Sequence, residues 1–193
     1  ALGDRLECVA NPSAIEAALA VLLLAPATPM LFMGEEWGAK TPFPFFCDFK
    51  DALADAVRQG RRREYDWAYA EYGEGVPDPL APSTFKSSVL DWNARHEPAG
   101  QKRLTLVRDL LGIRRREIMP RLVGAAFGEA QVTDDGLLDA NWRMGDGTAL
   151  CLLANLSYRN VVRPSDASKG TLIWGSVHGA TVPPWSVSWR IDA

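Results

Sequence analysis

The sequence predicts an α/β segment followed by a small all-β unit. Three observations carry this. A dense apolar run at 13–25 is followed by a short turn and a second apolar run at 29–33. Apolar residues then recur three and four apart across 101–118. From about Arg121 the apolar spacing changes from a helical period to an alternation of two.

The first helix starts at Asn11-Pro12-Ser13. Ser13 and Glu16 have capping-box spacing, in which each side chain satisfies a free N–H of the first turn. Proline early in a helix has no N–H to satisfy. Residues 15–24 are apolar on nearly every side, so this helix needs cover on both faces. Pro26 and Pro29 end it. Pro29-Met30-Leu31-Phe32-Met33, closed by Gly34, predicts a fully buried strand of a parallel sheet. Helix, turn and buried strand form the second half of a βαβ unit.

Gly34-Glu35-Glu36-Trp37-Gly38 follows directly, then a proline- and aromatic-rich loop over 41–49. Residues 50–65 predict a helix ending in Arg61-Arg62-Arg63. Residues 73–83 hold three prolines and two glycines and predict irregular chain. The next helix covers 101–117, with Leu104, Val107 and Leu111 on one face. Arg114-Arg115-Arg116 sit in its last turns, where cations complement the helix dipole. In the tail, Leu138, Ala140, Trp142 and Met144 alternate with polar residues. Gly145-Asp146-Gly147 offers a turn before another apolar run at 149–156, which is a hairpin signature. Residues 171–174 and the alternating Trp185, Val187, Trp189, Ile191 predict two further strands.

Composition narrows the function. The 193 residues allow one moderate domain or two small ones. A net charge of −3 argues against nucleic acid, which needs a concentrated basic face. Cys8, Cys47 and Cys151 are odd in number and widely spaced, so neither a zinc site nor a disulfide framework is expected. They read as small buried or half-buried thiols, in keeping with a cytoplasmic location. The longest apolar run, 17–26, is shorter than the roughly 20 residues a membrane span requires. It also lacks the flanks of a signal peptide. The chain starts at Ala1 without a methionine and so reads as processed or cut from something longer. No glycine-rich phosphate loop is present. His96 and His178 stand in polar contexts with no serine or cysteine nucleophile motif beside them.

The candidate chemistry lies at Glu35-Glu36-Trp37. In α/β barrels the loops after the strands form the active-site face. Carboxylates accept hydrogen bonds from sugar hydroxyls, and a flat indole covers the C–H face of a pyranose ring. The alternative is a structural carboxylate held by an arginine, with Trp37 in the core. Neighbouring strand residues diverge, so at most one of the two glutamates faces a pocket. For the same reason they do not form the opposed carboxyl pair of a retaining glycosidase, which stands about 5–5.5 Å apart. Phe43, Phe45, Phe46 and Phe49 either wall a sugar subsite or pin their loop. Arg61-Arg62-Arg63 either contact an anion or form a solvated run balanced by Asp51, Asp55, Glu64 and Asp66.

Thr28-Pro-Met-Leu-Phe-Met-Gly-Glu-Glu-Trp37 resembles the eighth barrel strand of the α-amylase family. Thr41-Pro-Phe-Pro-Phe-Phe-Cys-Asp-Phe49, Val57-Arg-Gln-Gly-Arg-Arg-Arg-Glu64 and Ser83-Thr-Phe-Lys-Ser-Ser-Val-Leu-Asp-Trp92 narrow the resemblance to malto-oligosyltrehalose trehalohydrolases. Pro183-Pro-Trp-Ser-Val-Ser-Trp189 resembles the last strand of that family's β domain. The resemblance implies the last part of a (β/α)8 barrel over 1–118: helix 7 at 13–25, strand 8 at 29–36 and helix 8 at 101–118. A small antiparallel, β-sandwich-like C-terminal domain follows over 119–193. It implies hydrolysis of the α-1,4 bond next to the trehalose unit of maltooligosyltrehalose or a related α-glucan, with no cofactor. It also implies that the family's three catalytic carboxylates precede Ala1, so the chain alone is expected to be inactive. Substrate lining is expected from Glu36, Trp37 and Glu35. Two other readings stay open: a carbohydrate-binding or assembly module, and part of another family enzyme such as a glycogen branching enzyme. A lone eighth strand has open edges, so a homodimer of the chain is a further expectation.

Overall fold

The computed structural model describes residues 1–163, 170–176 and 179–193. His178 lies outside the described residues. Among the described residues six α-helices are formed: α1 (Leu6–Val9), α2 (Pro12–Leu24), α3 (Asp51–Glu64), α4 (Asp66–Tyr72), α5 (Pro82–Ser87) and α6 (Pro98–Ile113). Seven strands follow among the described residues: β1 (Ala126–Val132), β2 (Leu137–Arg143), β3 (Ala149–Asn155), β4 (Val161–Val162), β5 (Thr171–Trp174), β6 (Thr181–Val182) and β7 (Ser186–Asp192). The chain divides into two compact units, 1–10 with 33–101, and 11–32 with 102–193.

The second unit is built around an antiparallel sheet of order β1-β2-β3-β7-β5, with β4 and β6 pairing separately. The β2 residues Leu138, Ala140 and Trp142 point to the face that carries α2. There Ala17, Ala20, Leu23 and Leu24 pack with Leu150, Leu152, Ala154 and Trp189. The buried indole N–H of Trp189 donates to the carbonyl of Ala20 at 3.0 Å. On the opposite face, Leu137 and Leu153 meet Val161 and Val182 of the small β4–β6 pair. Both faces of the sheet are therefore covered near its centre, by α2 on one side and by the β4–β6 pair on the other.

Asn155, fully buried, ties this second layer together. Its amide donates to the carbonyls of Arg159, Val182 and Pro183 at 2.7–2.9 Å. Its carbonyl accepts from the Ser157 N–H at 3.0 Å and hydroxyl at 2.7 Å. At the β2–β3 turn, a Cβ on Gly145 would lie 1.6 Å from the Val123 carbonyl oxygen, so only glycine fits. Asp146 accepts from the Thr148 hydroxyl and N–H and pairs with Arg121 at 2.9 Å. The Thr148 hydrogen bonds, helped by Arg121, hold the Asp146 carboxyl below the usual aspartate range.

Helix α6 passes into a π-helical turn at Arg114–Ile118. The turn brings Arg114 into the core, where its guanidinium donates to the carbonyls of Leu23, Ala25, Pro26 and Ala27. These are the unpaired carbonyls at and beyond the C-terminus of α2. Burial lowers the pKa of this guanidinium, but an arginine of this kind stays charged. The sequence offered Arg114, Arg115 and Arg116 as one dipole-complementing run; only Arg114 is buried.

Several sequence expectations are corrected. The N-cap of α2 is Asn11, whose side chain accepts from the Ser13 N–H at 2.8 Å. Ser13 is thus already inside the helix, and Glu16 pairs with Lys102 at 2.7 Å instead of closing a capping box. The helix is covered on one side only, since Ala18 and Leu22 stay exposed. Residues 29–33 form no strand and join no ladder among the described residues. Met30 keeps 82% of its surface. A strand needs a neighbour to take its N–H and C=O groups, and this run has none among the described residues. Cys8 is exposed rather than buried.

The first unit has no sheet; short helices and loops are held by side chains. Arg5 is buried and donates to the carbonyls of Thr41 at 2.8 Å and Met33 at 3.0 Å. Arg58 grips Asp78 with two nitrogens, which holds that carboxyl below its usual range. Arg61 pairs with Glu64 at 2.8 Å and stands over Phe45 and Tyr65, while Arg62 stands over Tyr69. Phe43, Phe46 and Phe85 form an edge-to-face chain, so Phe43 and Phe46 anchor the aromatic loop. Phe45 and Phe49 remain open.

Candidate functional site

The candidate site is the tight turn of the first unit that carries Glu35-Glu36-Trp37. Gly34 and Gly38 bracket it with φ of 89° and 70°, a region that favours glycine. Between them Glu35–Trp37 form one 3-10 turn. The turn closes through the Ala39 N–H on the Gly34 carbonyl at 2.8 Å. A Cβ on Gly34 would stand 2.7 Å from that of Ala39, so the closure depends on glycine.

Because the segment is helical, successive side chains rotate by about 120° rather than alternating. Glu35 and Glu36 are both half-buried. The Glu36 carboxylate accepts from the Gly34 N–H at 3.0 Å, so it is a fixed acceptor. Glu7 approaches from α1, its carboxylate 3.1–3.3 Å from where a Gly38 Cβ would stand.

Trp37 turns inward. It is 4% exposed, and its indole N–H makes no hydrogen bond. Its ring packs on Trp92 with centroids 5.0 Å apart. Leu90 also reaches the turn, its Cδ2 3.1 Å from a Gly34 Cβ position. Trp92 follows the cap of the 3-10 segment Trp92–His96, in which Asp91 accepts from the Asn93 N–H at 2.9 Å. Trp92 keeps 56% of its surface. The sequence reading assigned it no role; its place in the Ser83–Trp92 motif, next to a capping Asp91, was the available signal. His96 is exposed and accepts from Arg95 through Nε2 at 3.0 Å.

The second unit holds a cleft of about 330 Å³ lined by Pro26, Ala27, Leu122, Ala125, Phe127 and Trp142. Its walls are apolar, and it lacks the charged acceptors gathered at the first unit's turn. No group of three metal-ligating side chains occurs among the described residues. No helix of the described chain is long and apolar enough to cross a membrane.

The antiparallel unit coincides with a family described as a domain of unknown function, DUF3459, whose pattern matches residues 125–189. A solved structure described as an alpha amylase from Salmonella typhimurium superposes on the whole chain with a TM-score of 0.83. It shares 34% identity, and the chain covers 32% of it. An isomaltulose synthase from Klebsiella sp. LX3 shares the fold at a TM-score of 0.58 and 14% identity, with 93% of this chain and 38% of that chain covered. The chain is therefore related to the glycoside hydrolases of the α-amylase family.

Within them, it is similar to malto-oligosyltrehalose trehalohydrolases. The Brevibacterium helvolum enzyme of that name is 35% identical over 97% of this chain and 32% of its own length. The Deinococcus radiodurans enzyme is 43% identical over 60% of this chain and 19% of its own length. The chain thus spans a third or less of these relatives.

Proposed function

We propose that this chain is the C-terminal portion of a malto-oligosyltrehalose trehalohydrolase. Residues 1–118 belong to its (β/α)8 barrel and 119–193 to its β domain. The whole enzyme hydrolyses the α-1,4 bond next to the trehalose unit of maltooligosyltrehalose in the cytoplasm and releases trehalose. Its catalytic carboxylates belong to the part of the enzyme outside this chain. Similarity to the Brevibacterium enzyme over nearly the whole chain is the observation that carries this reading.

The Gly34–Gly38 turn contributes to the sugar site. Glu36, pinned by the Gly34 N–H, and Glu35 beside it supply fixed acceptors for hydroxyls. Trp37 packs beneath and holds their shape. In the full-length polypeptide, Glu36→Gln with Trp37→Ala lowers trehalose release about 100-fold, the scale of losing a positioned substrate contact and its support. Unchanged release by this double variant rejects the lining role. Branch formation in place of trehalose release would assign the polypeptide to a branching enzyme instead.

A binding module that used the β tail would need open tryptophans there. Trp142, Trp174 and Trp185 are half-buried and Trp189 is fully buried, which disfavours that module.

A further inference from the structure

We propose that Arg5 is a positioning residue of the sugar site: through the single peptide group between Met33 and Gly34 it holds the Glu36 carboxylate in place. This rests on the lining role given to Glu36 above and adds the residue that acts behind it.

Two hydrogen bonds share that peptide group. Nη1 of Arg5 donates to the Met33 carbonyl at 3.0 Å. The N–H of the same group, carried by Gly34, donates to the Glu36 carboxylate at 3.0 Å. A peptide group is planar, so fixing its carbonyl fixes the direction of its N–H. Hydrogen bonds in series polarise one another, and a charged donor on the carbonyl strengthens the N–H as a donor. With no Cβ and a φ of 89°, Gly34 does little by itself to hold the plane.

Arg5 is placed for this task. It is 7% exposed, and its Nε donates to the Thr41 carbonyl at 2.8 Å. Met33 precedes the Gly34–Gly38 turn and Thr41 follows it, so one guanidinium ties the loop at both ends. Its own base is anchored. The Phe43 N–H donates to the Gly3 carbonyl at 2.7 Å, and the guanidinium stands 5.9 Å from the Phe43 ring centroid. A Cβ on Gly3 would lie 2.1 Å from the Pro44 nitrogen, so the two segments touch backbone to backbone. The other arginine contacts of this unit differ. Arg58 grips Asp78, Arg61 pairs with Glu64 and Arg62 stands over Tyr69, none of them a residue of the turn.

The test is steady-state trehalose release by the full-length polypeptide, together with hydrogen exchange at the Gly34 amide. Losing a contact made equally in the ground and transition states raises KM, whereas a partly unfolded enzyme shows a lower kcat at the same KM. Arg5→Met is expected to raise KM about tenfold and to keep kcat within about twofold. Arg5→Lys is expected to give an intermediate rise, because an ammonium cannot span both carbonyls in a fixed plane. In a Glu36→Gln background, Arg5→Met should raise KM less than about twofold further, since residues acting as one unit are not additive. Exchange at Gly34 should quicken in Arg5→Met while α3 keeps its protection. If Arg5→Met does not fold, Arg5→Lys carries the same comparisons. Additive KM effects, a fall in kcat alone, or unchanged Gly34 exchange overturns the proposal. Failure of the reading beneath it looks different: no trehalose release by the unsubstituted polypeptide, or no change of KM in Glu36→Gln. Gly34 exchange then decides by itself whether Arg5 holds the Glu36 carboxylate.

Discussion

The second unit turns its tryptophans inward. Trp189 is fully buried, and Trp142, Trp174 and Trp185 pack around the same core. The first unit buries Trp37 but leaves Trp67 and Trp92 open. The difference follows from what holds each unit. Strand register fixes which way every side chain of the second unit points, so its aromatics are committed to a face. The first unit has no sheet, and its loops are held by arginines on carbonyls, carboxylates and rings. Such scaffolding leaves some aromatic side chains largely exposed. A count of seven tryptophans carries no functional message until each is assigned to one of these regimes.

Core substitutions sharpen the contrast most. Trp189→Ala removes a buried ring and leaves a cavity, and is expected to cost about 3–5 kcal/mol. Urea unfolding monitored by circular dichroism measures this. A loss as small as that of a surface residue would mean the second unit is not built on that ring.

Next comes the clamp on α2. Arg114→Ala leaves four carbonyls without their charged donor and is expected to cost about 3 kcal/mol. Arg114→Lys restores only part, because an ammonium cannot spread its donors over all four. Equal stability of Arg114→Lys and the unsubstituted chain would reject the fork geometry. Asn155→Leu is expected to cost about 2–3 kcal/mol, since it strands the buried carbonyl of Val182 and the partly buried one of Pro183. Hydrogen exchange should locate the loss at β4 and β6 rather than at β3.

Electrostatic effects are smaller. The Asp146 carboxyl is held below its usual value in the folded chain. It therefore contributes stability that is fully present above the ordinary aspartate pKa of about 3.9. That contribution is lost as pH falls through the lowered folded value. The melting temperature of Asp146→Asn should lie below that of the unsubstituted chain at neutral pH and converge with it in acid. A constant gap at all pH values would rule out the carboxylate as its source. Smallest of all is Trp67→Ala in the first unit, within about ±0.5 kcal/mol.

The β tail was the most legible part of the sequence. Leu138, Ala140 and Trp142 alternate cleanly, and Gly145 and Gly147 mark the turn, so β2 and β3 stand where expected. Strand β1 escaped notice for a physical reason. All seven of its residues are exposed, and the register shift between Phe127 and Glu129 breaks its alternation. The run at 29–33 had the composition of a buried strand, but composition cannot supply a neighbouring strand. Glu35, Glu36 and Trp37 were legible as a cluster. Their directions were not, because the two glycines replace strand geometry with a 3-10 turn. Arg114 and Trp92 were invisible as individuals. One was part of an arginine run, and the other depended on a packing contact between residues 55 positions apart.

The most direct test of the trehalohydrolase assignment is trehalose release from maltooligosyltrehalose, measured on the 193-residue chain and on a full-length polypeptide that carries it. Release by the full-length polypeptide and none by the chain is the expected result. Release by the chain itself, abolished by Glu35→Gln or Glu36→Gln, would contradict it and make these carboxylates the catalytic pair.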